Sequence, residues 1–329
     1  MFKTRITDLL GIDTPIVGGS MMLLSKKELT AAISAAGALG ILASANYKDL
    51  EEFRAAVKWI QDRTDKPFAV NLNLFPAFQP MDNNLFLDVM EQEGVKIVET
   101  SGPRAPDDLV GRIHAAGMLL IHKCVAPRYA RKAESIGADA VTVVGWENGG
   151  AVGKLDIATM VLVPRVVDAV KVPVIAGGGV GDGRGVAAVL ALGADAAIVG
   201  TRFMAAEEAP VHPNVRKRMI ELQEHETTLI LRSLENTHRV ARTANALKVQ
   251  EMEARGADLA ELFAIIGGPN SARLMAEGDL DAGLLWIGQA VGFIREIKPA
   301  AEIVAEIAAD AQAALARMER LFGRDGAAR

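Results

Sequence analysis

Cysteine is all but absent. Cys124 stands alone among 329 residues, which excludes an intrachain disulfide framework and any multi-cysteine zinc or iron–sulfur site. No excess of one charge is present either: 36 basic side chains face 41 acidic ones, for a net charge of −5. That balance provides no electrostatic footprint for nucleic acid or anionic lipid. No apolar run approaches the ~20 residues needed to cross a bilayer, and the amino terminus shows no stretch of signal-peptide length. The expectation is a cytoplasmic enzyme with a small-molecule substrate and no nucleic-acid or membrane partner.

Several chemical signatures are also missing. The glycine-rich run at 177–183 contains no G-x-G-x-x-G and no Gly-Lys-Ser/Thr, so the dinucleotide fingerprint and the P-loop both fail. No G-x-S-x-G elbow appears, which leaves a hydrolase of that class without support. The histidines at 114, 122, 212, 225 and 238 form no i, i+4 pair, so no metal site is expected.

What is present is hydrophobicity, at 50% of residues, and 31 glycines. Apolar runs at 14–17, 39–44, 68–74, 96–100, 118–123, 140–145, 173–177 and 196–200 are continuous rather than alternating, as in parallel strands covered on both faces. Helical spacing fills the intervals. Gly37, Gly94, Gly117, Gly137 and Gly193 each close a helical segment just before a strand, where a left-handed residue is commonly required. Eight such units in roughly 200 residues predict a TIM (β/α)8 barrel, with a doubly wound sheet as the rival. After Phe203 the pattern changes: 214–293 reads as helical without convincing strands, and 300–321 as one amphipathic helix. The expected organisation is a barrel at 1–205, a smaller helical lid or substrate domain at 206–296, and a C-terminal helix at 297–329 packed back on the barrel.

Active sites of such barrels lie at the carboxyl ends of the strands. Glycine-rich exits occur there at Gly18-Gly19-Ser20-Met21-Met22, Gly145-Trp-Glu-Asn-Gly-Gly150, Gly177–Gly183 and Gly200-Thr201-Arg202. The last two follow the seventh and eighth strands, where barrels of this type bind phosphate through bare backbone amides. An ordinary tight turn is the alternative for Gly177–Gly183. Asn71, Asn73, Lys123 and Glu147 are the polar side chains at other strand ends. Lys123 suits either the stabilisation of negative charge or a structural ion pair. Strand alternation turns Cys124 to the opposite face, where a buried structural thiol is expected, and His122 reads as a packed outer-face residue.

The ordered series Pro15-Ile-Val-Gly-Gly-Ser-Met21, Lys66-Pro-Phe-Ala-Val-Asn71, Gly145-x-Glu147-x-Gly-Gly150, Val174-Ile-Ala-Gly-Gly178, Asp182-Gly-Arg-Gly185 and Gly200-Thr-Arg-Phe203 resembles the nitronate monooxygenase (2-nitropropane dioxygenase-like) flavoprotein family. The likeness extends through Arg232-Ser-Leu-x-Asn236-Thr and Gly288-Gln289. It is strongest to the bacterial NADH:quinone reductase branch, with a further likeness to flavin-dependent enoyl-ACP reductases.

The resemblance implies non-covalent FMN in a TIM barrel, with a homodimer suggested. By it, Ser20, Met21 and Met22 would offer backbone contacts to the flavin ring, and Asn73 and Lys123 would meet its polar edge. Gly149 would lie beside the ring, and Gly177, Gly178, Gly200 and Thr201 would hold the phosphate. Glu147 and Lys123 join residue 151 as the expected catalytic positions.

Three departures stand out: Ala151 where the family usually has a catalytic histidine, Met22 where glutamine is frequent, and Gly177 where serine often lies. A methyl group accepts no proton, and general-base help is typically worth ~10²–10⁴ in rate. Hydride transfer from NAD(P)H to flavin needs no such base. The sequence therefore favours NAD(P)H-driven reduction of a quinone-like or conjugated acceptor. The rivals are a nitronate monooxygenase, an enoyl- or acyl-thioester oxidoreductase, and a flavin-binding protein without catalysis. Arg232, Asn236, Trp286 and Gln289 belong to the segment expected to cover the flavin, although each taken alone reads rather as helix packing or surface.

Overall fold

The computed structural model describes residues 2–75 and 82–322. All eight apolar runs are strands: β1 (Ile16–Gly18), β2 (Gly40–Ala43), β3 (Phe68–Asn73), β4 (Ile97–Ser101), β5 (Leu119–Cys124) and β6 (Ala140–Val144). After a two-residue strand β7 (Gly150–Ala151), the series ends with β8 (Val174–Gly177) and β9 (Ala196–Val199). They are parallel in the order β1-β9-β8-β6-β5-β4-β3-β2, and a parallel bridge between Val17 and Leu39 joins the two ends. The sheet is a TIM barrel, not a doubly wound layer.

The two faces of each strand explain the unbroken apolar runs. Val17, Ile41, Ala69, Ile97, Ile121, Ile175 and Ile198 fill the interior together with Ile6 and Leu10 of the helix Arg5–Leu10. Alternate residues such as Val70, Val98, Leu120, Val141 and Ala176 pack outward in the core shared with the surrounding helices. Both faces exclude water, so neither tolerates a polar alternation. Cys124 belongs to the outer layer at 5% exposure, and burial pushes its thiol up to about 12; it is the inert residue that alternation predicts. The glycines before the strands serve as expected, with φ of 85° at Gly37 and 104° at Gly137, a region costly for a residue with a Cβ.

The helix Ala300–Leu321 returns to the barrel and packs on the helix Gly183–Ala191. A Cβ on Gly183 would come within 2.2 Å of Ile307 O and Ala311 N, so the two backbones touch there.

The segment between departs from expectation. Two strands, β10 (Thr227–Ile230) and β11 (His238–Ala241), interrupt the predicted helical stretch. They pair antiparallel, and β7 adds to β11 with Arg239 opposite Gly150 and His238 opposite Ala151. The sheet is thus completed by a barrel loop far away in sequence. Two four-residue runs with half-buried threonines carry too little periodicity to announce a strand by themselves.

Candidate active site

A carboxylate organises the barrel side of the mouth. Glu99, on β4, is fully buried. Its Oε2 accepts from Ser20 Oγ at 2.8 Å and from Asn71 Nδ2 at 2.8 Å. Lys123 Nζ, on the neighbouring β5, lies 3.4 Å from Glu99 Oε1 and donates to Ser20 Oγ at 3.1 Å. Asn71 also donates to Ser101 Oγ at 3.1 Å. Parallel register places these groups together, since Asn71 pairs with Glu99 and Ser101 with Lys123. The ammonium carries three N–H groups and donates one to Ser20 Oγ, so donor capacity remains for the cavity above. Glu99 Oε1 has no hydrogen-bond partner among the described residues, and a buried carboxylate is tolerable here chiefly because the ammonium stands beside it.

The cavity above is lined by Gly19, Ser20, Met21, Lys123, Val144, Asn148, Gly149, Gly200, Thr201 and Trp286, among others. Three of the four glycine exits therefore contribute to one space. The glycines do not all serve it alike. At Gly177 a Cβ would strike Ile198 Cγ2 at 2.5 Å, and at Gly149 it would strike Gly288 N at 2.5 Å; those positions are small because protein packs against them. At Gly200 the nearest atom is Met21 Sδ at 4.0 Å, so its missing side chain opens the cavity instead.

The facing side comes from Asn148, Gly149 and Trp286, held by the small sheet and the segment 286–289. Gly288 N donates to Thr201 Oγ1 at 3.0 Å, and Gln289 N to the Glu147 carbonyl at 3.0 Å. Trp286 Nε1 donates to Ser271 Oγ at 3.1 Å, which fixes the indole at the cavity edge. Arg239 is 4% exposed, donates from Nε to the Trp146 carbonyl at 3.0 Å and from Nη1 to Thr227 Oγ1 at 2.8 Å. It ties the Gly145–Gly150 loop to the sheet.

The expected residues divide accordingly. Ser20, Met21, Lys123, Gly149, Gly200 and Thr201 line one cavity, with Trp286 from the covering segment. Glu147 is engaged elsewhere: its carboxylate accepts from Thr159 N at 3.1 Å and from Thr159 Oγ1 at 2.9 Å, capping the helix Thr159–Val167. Asn73 turns its Oδ1 to the Phe75 amide at 3.0 Å, and Met22 is 61% exposed. Gly178, at φ 102°, lies against the Gly145 backbone. Ala151 sits on β7 beside His238. Glu99 went unnoticed in the sequence, because it lies inside an apolar run. A charged residue within a strand otherwise buried on both faces was the available signal.

Comparison with known proteins follows the same lines. The family model described as nitronate monooxygenase matches residues 3–310. A (3aS,4S,5R,7aS)-5-hydroxy-7a-methyl-1-oxo-octahydro-1H-indene-4-carboxyl-CoA dehydrogenase from Rhodococcus jostii is 33% identical over 94% of this chain and 96% of its own. The Mycobacterium tuberculosis protein of the same description is 38% identical over 77% of this chain and 70% of its own. The solved structure of FabK from Thermotoga maritima superposes with a TM-score of 0.90 at 35% identity, covering 98% of this chain and all of that one.

Proposed function

The chain belongs to the nitronate monooxygenase family of flavin-dependent oxidoreductases, and within it we propose an FMN enzyme that passes hydride from NAD(P)H to a conjugated acyl thioester. FMN, when bound, supplies the hydride chemistry itself. The residues present fit it. Gly200 leaves its backbone open toward the cavity, Thr201 retains its hydroxyl proton while its oxygen accepts from Gly288 N, and Lys123 directs positive charge to the same space. The protein's task is to orient donor and acceptor and to exclude water. Residue 151 provides no proton acceptor, and hydride delivery from a nicotinamide requires none.

One observation carries the thioester. The loop bearing Met21 continues to Leu23 and Lys26, which line a second cleft of about 460 Å³ with Val211, His212, Arg216 and Met275. No carboxylate lines it. Arg216 gives its Nη2 to the Glu207 and Ala209 carbonyls at 2.8 and 2.9 Å, and its Nε is buried without a partner. His212 Nδ1 accepts from Asn214 N at 3.2 Å, which leaves that ring's proton on Nε2 in the neutral form. Positive charge beside apolar walls suits a phosphorylated nucleotide handle such as that of CoA, and two relatives are described as acting on a carboxyl-CoA. A quinone or an alkyl nitronate has no group for this cleft.

The test is anaerobic. NADH or NADPH should bleach the flavin within seconds, and crotonyl-CoA should restore its colour. Lys26→Glu should raise KM for the CoA thioester about tenfold, equivalent to ~1.4 kcal/mol, and leave the N-acetylcysteamine thioester unaffected. Equal KM changes for both thioesters would remove the nucleotide-handle reading. Oxygen uptake with alkyl nitronates, with little NAD(P)H oxidation, would replace the activity by nitronate oxidation.

A further inference from the structure

The alanine at 151 leaves the loop without a proton acceptor, but the sheet built onto that loop places one opposite. In an antiparallel pair, residues directly across from each other project to the same face, with Cβ atoms about 4.5–5.5 Å apart. His238 is the residue across from Ala151. The flanking bond, Val152 N to the Thr237 carbonyl at 3.1 Å, makes 151–238 a non-hydrogen-bonded pair, the closer of the two kinds. The small methyl of Ala151 leaves room for the imidazole over the same patch. The ring packs edge-on against Trp286 with centroids 5.2 Å apart, and Trp286 lines the cavity beside Lys123, Asn148 and Gly149.

The tautomer follows from one contact. His238 Nδ1 lies 2.7 Å from the Asn236 carbonyl oxygen. A carbonyl only accepts, so Nδ1 carries the proton and Nε2 carries a lone pair. Nε2 makes no hydrogen bond among the described residues. Burial also pushes the ring's pKa down, partly opposed by the Asn236 contact, which keeps the imidazole neutral and able to accept. The arrangement is that of an oriented base: one nitrogen fixed by a backbone oxygen, the other free.

We propose that His238 is the proton-accepting residue of this active site, supplied across the strand pair in place of a side chain at 151, and that it acts on carbon acids. In that step the C–H bond next to a thioester carbonyl or a nitro group breaks, and the proton passes to His238 Nε2. The bonding pair stays on carbon, delocalised into the carbonyl or nitro group. No oxidant is consumed. The inference concerns the edge of the same cavity, where Trp286 separates the His238 ring from the lining, and does not depend on the thioester.

Solvent exchange isolates the step. The flavin-loaded enzyme is incubated with 1-nitropropane in D2O without NAD(P)H, and loss of the Cα–H signal is followed by proton NMR. The wild type should exceed buffer exchange. His238→Ala and the more conservative His238→Gln should each lower the enzyme-dependent rate about 10²-fold or more, with flavin content and melting temperature retained. The double variant Ala151→His/His238→Ala should recover exchange, because both positions aim at the same patch. No exchange by the wild type, wild-type exchange in a folded His238 variant, or a double variant that binds flavin without recovery would each overturn the assignment. Exchange without thioester turnover would sink the proposed function and leave this inference standing; thioester turnover without exchange would do the reverse.

Discussion

The two sides of the cavity are constructed differently. On the barrel side, Glu99, Lys123, Asn71, Ser20 and Ser101 sit on or just after parallel strands and are held by mutual hydrogen bonds. On the facing side, Gly149, Trp286 and Gly288 belong to loops closed by a short three-stranded sheet, and its groups are neutral or engaged with backbone. A charged network inside a barrel is costly wherever a member goes unpaired, since that member is desolvated, and Glu99 Oε1 is left with the nearby Lys123 charge alone. A loop-borne face carries no such constraint. The barrel side is therefore constrained in composition, whereas the facing side, where Ala151 pairs with His238 across the strands, is less so.

The harshest break in that contrast is Glu99→Ala. It leaves the Lys123 ammonium half-enclosed without its carboxylate, and loss of one member of a buried pair costs about 3–5 kcal/mol. Urea denaturation should show a loss of that size, whereas Trp286→Ala on the facing side should cost less. Lys123→Ala should in addition weaken FMN retention; unchanged flavin content would contradict its place beside the cofactor.

A second break uses pH. His122 is buried in the barrel wall beside Thr100, with Nδ1 2.8 Å from Thr100 Oγ1. Burial pushes it down to about 4, against opposing pulls from Glu99 and Asp107. Between that value and the ordinary ~6.5 of the unfolded chain, the unfolded state binds more protons. Stability should then fall as pH drops from about 6.5 toward 4, by up to about 3 kcal/mol. His122→Gln should flatten this acid limb. A slope unchanged by the substitution would assign it to other groups.

The mildest comparison sharpens the difference between glycines that serve packing and glycines that serve the cavity. Gly177→Ala meets Ile198 Cγ2 at 2.5 Å and should destabilise the fold by about 1–3 kcal/mol, the usual range for overpacking. Gly200→Ala meets no atom closer than 4.0 Å, so the melting temperature should barely move, while FMN affinity falls. Equal stability losses at both sites would erase the distinction.

Patterns confined to a few neighbouring residues were readable in advance. Eight apolar runs, the left-handed glycines before them, the buried Cys124 and the glycine-rich exits all follow from local rules: a strand covered on both faces shows no alternation, and a positive φ excludes most side chains. Membership of several exit residues in a single cavity was readable for the same reason, because barrel topology sends every strand end to one mouth. Groups defined by register were not. Glu99 meets Lys123 only because β4 and β5 lie side by side, and His238 faces Ala151 only because a loop between barrel strands becomes the edge of a sheet formed some 90 residues later. Glu147 shows the converse: an acidic residue in a promising motif turned instead to the start of the helix Thr159–Val167, whose free amides attract a carboxylate. By itself the sequence determined where the backbone would turn and which faces would avoid water, since those choices are settled within a few residues. Which polar groups became partners was decided by tertiary structure, because hydrogen bonds and ion pairs act over about 3 Å and strand pairing alone brings such distant residues that close.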